Sequence, residues 1–202
     1  MPFYKEIPLF PHGSLTLWKV EEGENFPVTL TEASRKRLAG MKRQEHRNGF
    51  LAVRMLLERA GLTDQDLSYD PNGRPLLENG QYISISHSHA FAALYTGPEP
   101  YGIDIEKIHP RIVKNQPHFI RDEVILPGFE PETLTLIWTV KEAIFKLSNS
   151  RPLSFLTDLH IYSYDLSSGM GTAVSTFPGW EKGFCFQFEQ IEDYMLTWCK
   201  IT

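Results

Sequence analysis

Near the middle of the chain the run Gly97-Pro98-Glu99-Pro100 halts any regular element, because each proline lacks an amide donor and fixes its own φ. Neither a helix nor a central strand continues through such a run. The 202 residues are thereby cut into two stretches of similar length, 1–100 and 101–202. With 42% hydrophobic and 22% charged residues, the chain has the material to bury one ordinary core or two small ones.

Periodicity predicts the elements on each side of the break. In the first half, residues 15–20 read as strand material. Thr31 then caps a helical stretch in which Phe50, Val53, Leu57 and Ala60 recur at helical spacing, and Gly61 ends it. Residues 82–86 alternate, with Ile83 and Ile85 on one face and Ser84 and Ser86 on the other; 90–95 follow after a short turn and make a hairpin. In the second half, 101–106 read as a strand and Pro131 opens a helix that runs to about Leu147, with Ile137, Val140, Ile144 and Leu147 as its apolar stripe. Strands are expected near 159–164, 172–175, 184–188 and 195–200. Each half thus pairs one long helix with a small, mainly antiparallel sheet, an α+β pattern, and a pseudo-twofold pair of similar halves is the expected architecture.

Charge narrows the function classes. The net charge of −5 argues against a general nucleic-acid binder. Between Thr31 and Ala60, however, eight basic residues stand against three acidic ones. This patch suits a small polyanion or an acidic partner docking at one face, and Arg43, Arg47 and Arg54 lie close to one stripe of the helix. No run of about 18 apolar residues suggests a membrane span, and the opening residues lack the basic-then-apolar pattern of a secretory leader, so a cytoplasmic protein is expected. Cys185 and Cys199 have no partner at metal-ligand spacing and are expected to be free core thiols.

Acidic residues carry the chemical signal. In the strand Gly102-Ile103-Asp104-Ile105-Glu106, Asp104 and Glu106 share one face, about 7 Å apart, and repel unless a cation or water intervenes. Along the helix, Thr135, Thr139, Glu142 and Lys146 form a polar stripe. Three carboxylates without His or Cys make an oxygen-only donor set, suited to Mg²⁺ or Mn²⁺ rather than Zn²⁺. The spacing of Glu142 and Lys146 is equally that of an i,i+4 ion pair, and two strand carboxylates can simply face water. A nuclease-like use of Glu106-Lys107 fits poorly, since Lys107 points to the opposite face. Ser86-His87-Ser88-His89 ends a strand at a turn, where hydroxyls, amides and an imidazole can meet a phosphate, and Asn72-Gly73-Arg74-Pro75 is a turn carrying a guanidinium.

In this order, the basic helix, Asn72-Gly73-Arg74-Pro75, Ile85-Ser86-His87-Ser88, Gly102-Ile103-Asp104-Ile105-Glu106 and Trp138-Thr139-Val140-Lys141-Glu142-Ala143-Ile144-Phe145-Lys146 resemble the Sfp-type 4′-phosphopantetheinyl transferase superfamily. The resemblance covers roughly residues 31–147. It implies transfer of the phosphopantetheine arm of coenzyme A to a serine of an apo-acyl or peptidyl carrier protein, with release of adenosine 3′,5′-bisphosphate. It further implies that residues 1–100 carry the coenzyme A-binding helix and loops and 101–202 the metal site. Asp104, Glu106 and Glu142 would hold Mg²⁺, with Mn²⁺ the alternative. Arg35, Arg47, Arg74, Ser86 and His87 would contact the 3′-phosphate and adenine side. Lys146 would neutralise the pyrophosphate, and Glu142 would orient or accept the serine proton. Two departures stand out: His118-Phe119 precedes Glu123 where relatives carry two aromatics before the Glu, and Asn48 follows Arg47 where Thr is common. The expected partners are coenzyme A and the carrier, with no nucleic acid and no membrane, and the expected state is a monomer. A catalytically silent scaffold for coenzyme A or a carrier is the alternative.

Overall fold

The computed structural model describes residues 3–120, 130–148 and 151–202. The chain divides into two compact units, Met1–Pro100 and Tyr101–Thr202, at the proline-rich break. Each is an α+β unit in its own right. Among the described residues no helix is long and apolar enough to cross a membrane.

Unit 1 contains strands β1 (Phe3–Leu9) and β2 (Gly13–Lys19), helices α1 (Glu32–Gly40) and α2 (Gln44–Arg59), the short strands β3 (Leu67–Tyr69) and β4 (Pro75–Leu77), and the hairpin of β5 (Tyr82–Ser88) with β6 (Phe91–Gly97). Its main sheet is antiparallel in the order β1-β2-β6-β5. Helix α2 packs on this sheet through Val53, Leu56 and Leu57, which join Trp18, Ile83 and Leu94 in one core. The predicted hairpin is found, and the predicted first strand overlaps β2 up to Lys19.

The helical stretch expected from Thr31 to Ala60 is two helices rather than one. Thr31 caps the first as expected, its hydroxyl accepting from Ser34 N–H at 3.2 Å. The chain leaves the helix after Gly40, a poor helix former, and Met41 is extended at φ −79, ψ 120. Arg47 then donates to the Leu38 carbonyl at 2.7 Å, which also accepts from Met41 N–H at the end of α1. Gly61, at φ +75, turns the chain out after α2.

Unit 2 contains β7 (Gly102–Lys107), a short helix α3 (Ile112–Asn115) running into one 3₁₀ turn, the long helix α4 (Pro131–Leu147), and strands β8 (Leu159–Asp165), β9 (Met170–Ser175), β10 (Lys182–Ile191) and β11 (Tyr194–Ile201). All five strands form one antiparallel sheet in the order β7-β11-β10-β9-β8. Every strand expected in this half is present, and α4 begins at the predicted proline. Its stripe of Ile137, Val140 and Ile144 is buried in a core with Phe184, Phe186 and Met195.

The polar stripe of α4 behaves differently from a solvated face. Thr135 and Thr139 are both fully buried. Thr139 Oγ1 stands 2.8 Å from Thr197 Oγ1 on β11, so a polar seam runs between helix and sheet. The cysteine expectation holds for Cys199 alone, which is buried; Cys185 is exposed, because it alternates with the inward residues Phe184 and Phe186 along β10.

Candidate functional site

The candidate centre lies wholly in unit 2, where β7 meets α4. Strand alternation sends Ile103 and Ile105 into the core, both at 0% exposure. Asp104 is nevertheless almost as buried, at 3%, and sits opposite Thr197 in the ladder. Such a carboxylate needs a cation or donors close by. Lys146 supplies them: its ammonium donates to Asp104 Oδ1 at 2.8 Å and to the Ile103 carbonyl at 2.7 Å. Glu142, one helical turn earlier, is partly buried. Burial, then the nearby charge of Asp104, push its carboxyl up to about 7, against the opposing pull of Lys146. Asp104, Glu142 and Lys146 are therefore one electrostatic group. Glu106, on the same strand face as Asp104, is half-buried opposite Met195.

Gly102 makes this meeting of helix and strand close. A methyl group there would overlap the carbonyl of Ala143 on α4, the residue that follows Glu142 and precedes Lys146 by one turn. Sequence carries a signal for this, since a glycine inside a strand pattern often marks close approach of another backbone. A second residue outside the predicted set is Lys141, fully buried, whose ammonium donates to the carbonyls of Phe119 at 2.6 Å and Phe155 at 2.9 Å. It lies on the apolar stripe between Ile137 and Ile144, an abnormal place for lysine and the clue that it is internal. Phe119 is itself buried and packs edge-on against Trp138 at 5.3 Å, whereas His118 is exposed. Glu123, the acidic residue that follows them, lies outside the described residues.

Oxygen-only donors with a carboxyl strained by a like charge suit a hard divalent ion. Among the described residues no group of three carboxylate, imidazole or thiol side chains stands at metal-ligand spacing. Mg²⁺ characteristically takes few protein ligands and completes its shell with water and substrate phosphates, so the donor chemistry fits that ion without a preassembled cluster.

Unit 1 holds the remaining candidates at several places. Arg35 is exposed on α1, and Arg47 reaches the end of α1 from the first turns of α2. Arg74 follows Gly73, whose φ of +85 makes the predicted turn; the loop is fixed by Asp70 Oδ1, which accepts from Asn72 N–H and Arg74 N–H. On β5, Ser86 is buried and His87 exposed, on opposite faces of the strand. One ligand meets both side chains only around this outermost strand of the sheet. The basic stripe is altered at Arg54. That residue is 3% exposed and its guanidinium pairs with Asp64 Oδ1 at 2.8 Å, so it serves the core and is removed from the anion-facing set.

No protein-family model matches the chain. It is similar to enterobactin synthase component D of Salmonella typhimurium (strain LT2), with 32% identity over 132 residues, 60% of this chain and 55% of that protein. The chain thus matches little more than half the length of this curated relative. The alignment and the ordered motifs together make the chain similar to the Sfp-type 4′-phosphopantetheinyl transferases.

Proposed function

We propose that the chain transfers the 4′-phosphopantetheine arm of coenzyme A to a serine of an apo-acyl or peptidyl carrier protein, releasing adenosine 3′,5′-bisphosphate. The observation that carries this reading is the group of Asp104, Glu142 and Lys146, in which Lys146 bridges strand and helix at 2.8 Å from Asp104 Oδ1. The two units are read as related versions of one α+β plan, the first with the nucleotide-binding residues and the second with the reacting centre.

In the reaction the serine Oγ–P bond forms, the P–O bond inside the pyrophosphate breaks, and the serine proton leaves to a base. Asp104, Glu106 and Glu142 would hold Mg²⁺, with Mn²⁺ the alternative, and a bound ion would supply charge neutralisation on the pyrophosphate. Lys146 adds a fixed positive charge for the departing bisphosphate, held in place beforehand by the Ile103 carbonyl. Glu142 orients or accepts the serine proton. Arg35, Arg47, Arg74, Ser86 and His87 bind the 3′-phosphate and adenine side. Partners on this reading are coenzyme A and the carrier, the working form is a monomer, and the compartment is the cytoplasm.

The test mixes the protein with coenzyme A, Mg²⁺ and several apo-carriers and weighs the carriers by mass spectrometry. Gain of the phosphopantetheine mass on any one of them supports the transferase. Coenzyme A binding with no mass gain on any carrier replaces it with the scaffold reading.

A further inference from the structure

Helix α2 carries a glycine in its interior, Gly49, although glycine is among the weakest helix formers. Space explains it. A methyl group at Gly49 would lie 2.8 Å from His87 Cγ and 2.9 Å from His87 Nδ1, closer than real Cβ atoms come to any neighbour. It would also stand 3.1 Å from His87 Cβ. The crowded atoms are the root of the histidine side chain, so turning the ring to another rotamer leaves part of the conflict in place.

Strand parity accounts for the contact. Ile83, Ile85 and His87 share the face of β5 that looks at α2, and Val53 and Leu57 of α2 belong with Ile83 to the unit 1 core, with Ile85 packed against it. Gly49 lies four residues before Val53 and so continues the same helical stripe toward its start. Where the core ends, the ladder closes with an imidazole resting on bare helix backbone. His46, three residues before Gly49 on the neighbouring turn, brings its ring to 6.4 Å from that of His87 at 50°. His87 is therefore seated with its ring against Gly49 and beside His46, while remaining exposed.

We propose that Gly49 is a positioning residue, which lets the His87 ring lie on α2 in the one orientation that meets a phosphate-bearing nucleotide. The inference rests on the proposed function for the ligand; the seating of the ring does not. A Cβ at position 49 lifts the ring away and weakens nucleotide binding through His87, without itself touching the nucleotide.

The experiment measures binding of adenosine 3′,5′-bisphosphate by calorimetry to the native protein, Gly49→Ala, His87→Gly and the double variant. Each single change is expected to weaken binding about tenfold, and the double variant to bind no worse than His87→Gly. Native-like affinity of Gly49→Ala, or losses that add in the double variant, overturns the proposal. Melting temperature supplies a second readout: Gly49→Ala raises it in the His87→Gly background, where no side-chain atom of residue 87 is left to meet the methyl and alanine merely improves the helix, and fails to raise it when His87 is present. Equal upward shifts in both backgrounds overturn the seating. If the native protein binds no bisphosphate, the nucleotide reading of unit 1 fails. The His87 ring resonances in Gly49→Ala then decide the seating, unmoved signals counting against it.

Discussion

Lys146 Nζ stands 2.8 Å from Asp104 Oδ1, so one ammonium joins the middle of β7 to the last turn of α4. The Asp104 side chain is 5% exposed and that of Lys146 27%, which makes this a largely desolvated pair. Removing the lysine alone leaves a buried carboxylate without its cation. Lys146→Met is therefore expected to destabilise the protein by about 3 kcal/mol, and the double variant Asp104→Asn, Lys146→Met by clearly less. Urea midpoints at unchanged m-value check this. Both variants should lose carrier modification, so stability and activity separate in the double variant.

Gly102 sets the distance between the same two elements. Gly102→Ala drives a methyl into the Ala143 carbonyl, and the backbone of α4 has to yield. A loss of about 1–3 kcal/mol is expected, as for other overpacked sites. The displaced helix carries Lys146 and Glu142 with it, so the rate of carrier modification should fall more than the affinity for coenzyme A. A variant with native rate would show that the reacting group does not depend on this contact.

Much of this was legible in the sequence, for identifiable reasons. Helix α4 announces itself by Pro131 and by Ile137, Val140 and Ile144, because a long buried helix must repeat its apolar residues every three or four positions. Strand β10 alternates cleanly, with Phe184, Phe186 and Phe188 inward and Cys185 and Gln187 outward. Strand β1 escaped because Lys5 interrupts its inward face and Pro8 its hydrogen bonding; both are tolerated since β1 lies at the edge of its sheet. Strands β3 and β4 span three residues each, too few for any period. At the site, strand parity and helical spacing allow Asp104, Glu142 and Lys146 to come together, yet spacing cannot say which pair forms. The structure directs Lys146 onto Asp104 and the Ile103 carbonyl. Arg54 and Lys141 show the limit of reading charge as surface, for each is internal by virtue of partners distant in sequence: Asp64 in one case, Phe119 and Phe155 in the other.

Arg54 and Asp64 give unit 1 a pH-dependent clasp. Asp64 Oδ2 accepts from the Thr31 amide and hydroxyl, and Oδ1 from the Ser34 hydroxyl and the Arg54 guanidinium. Burial pushes this carboxyl up, but the donors from Thr31, Ser34 and Arg54 together outweigh it and hold the pKa below the ordinary value. Since the folded pKa is the lower one, the contribution is complete above the unfolded value near 3.8 and is lost as pH falls through the folded value. Asp64→Asn should cost about 3 kcal/mol at pH 7, where Arg54 loses its counter-charge. The gap to the native protein should narrow below the unfolded value. Urea titrations at several pH values measure it, and a gap that stays constant into acid would deny Asp64 this role.

Cys185 and Cys199 make opposite predictions from neighbouring strands. Cys185 is exposed on β10, and nothing in its position shields the sulfur from a water-soluble reagent. Cys199 is buried on β11, and burial raises its thiol far above the ordinary range, so almost no thiolate exists at neutral pH. A thiol reagent should therefore label one site quickly in the native protein and the second only as unit 2 opens. The rate of the slow phase then reports the stability of the sheet whose edge strand carries Asp104. In Lys146→Met that phase should quicken, by up to about a hundredfold if opening exposes Cys199 through global unfolding and the loss is near 3 kcal/mol. A slow phase indifferent to Lys146 would mean that Cys199 is reached by a local opening that leaves β7 and α4 in contact.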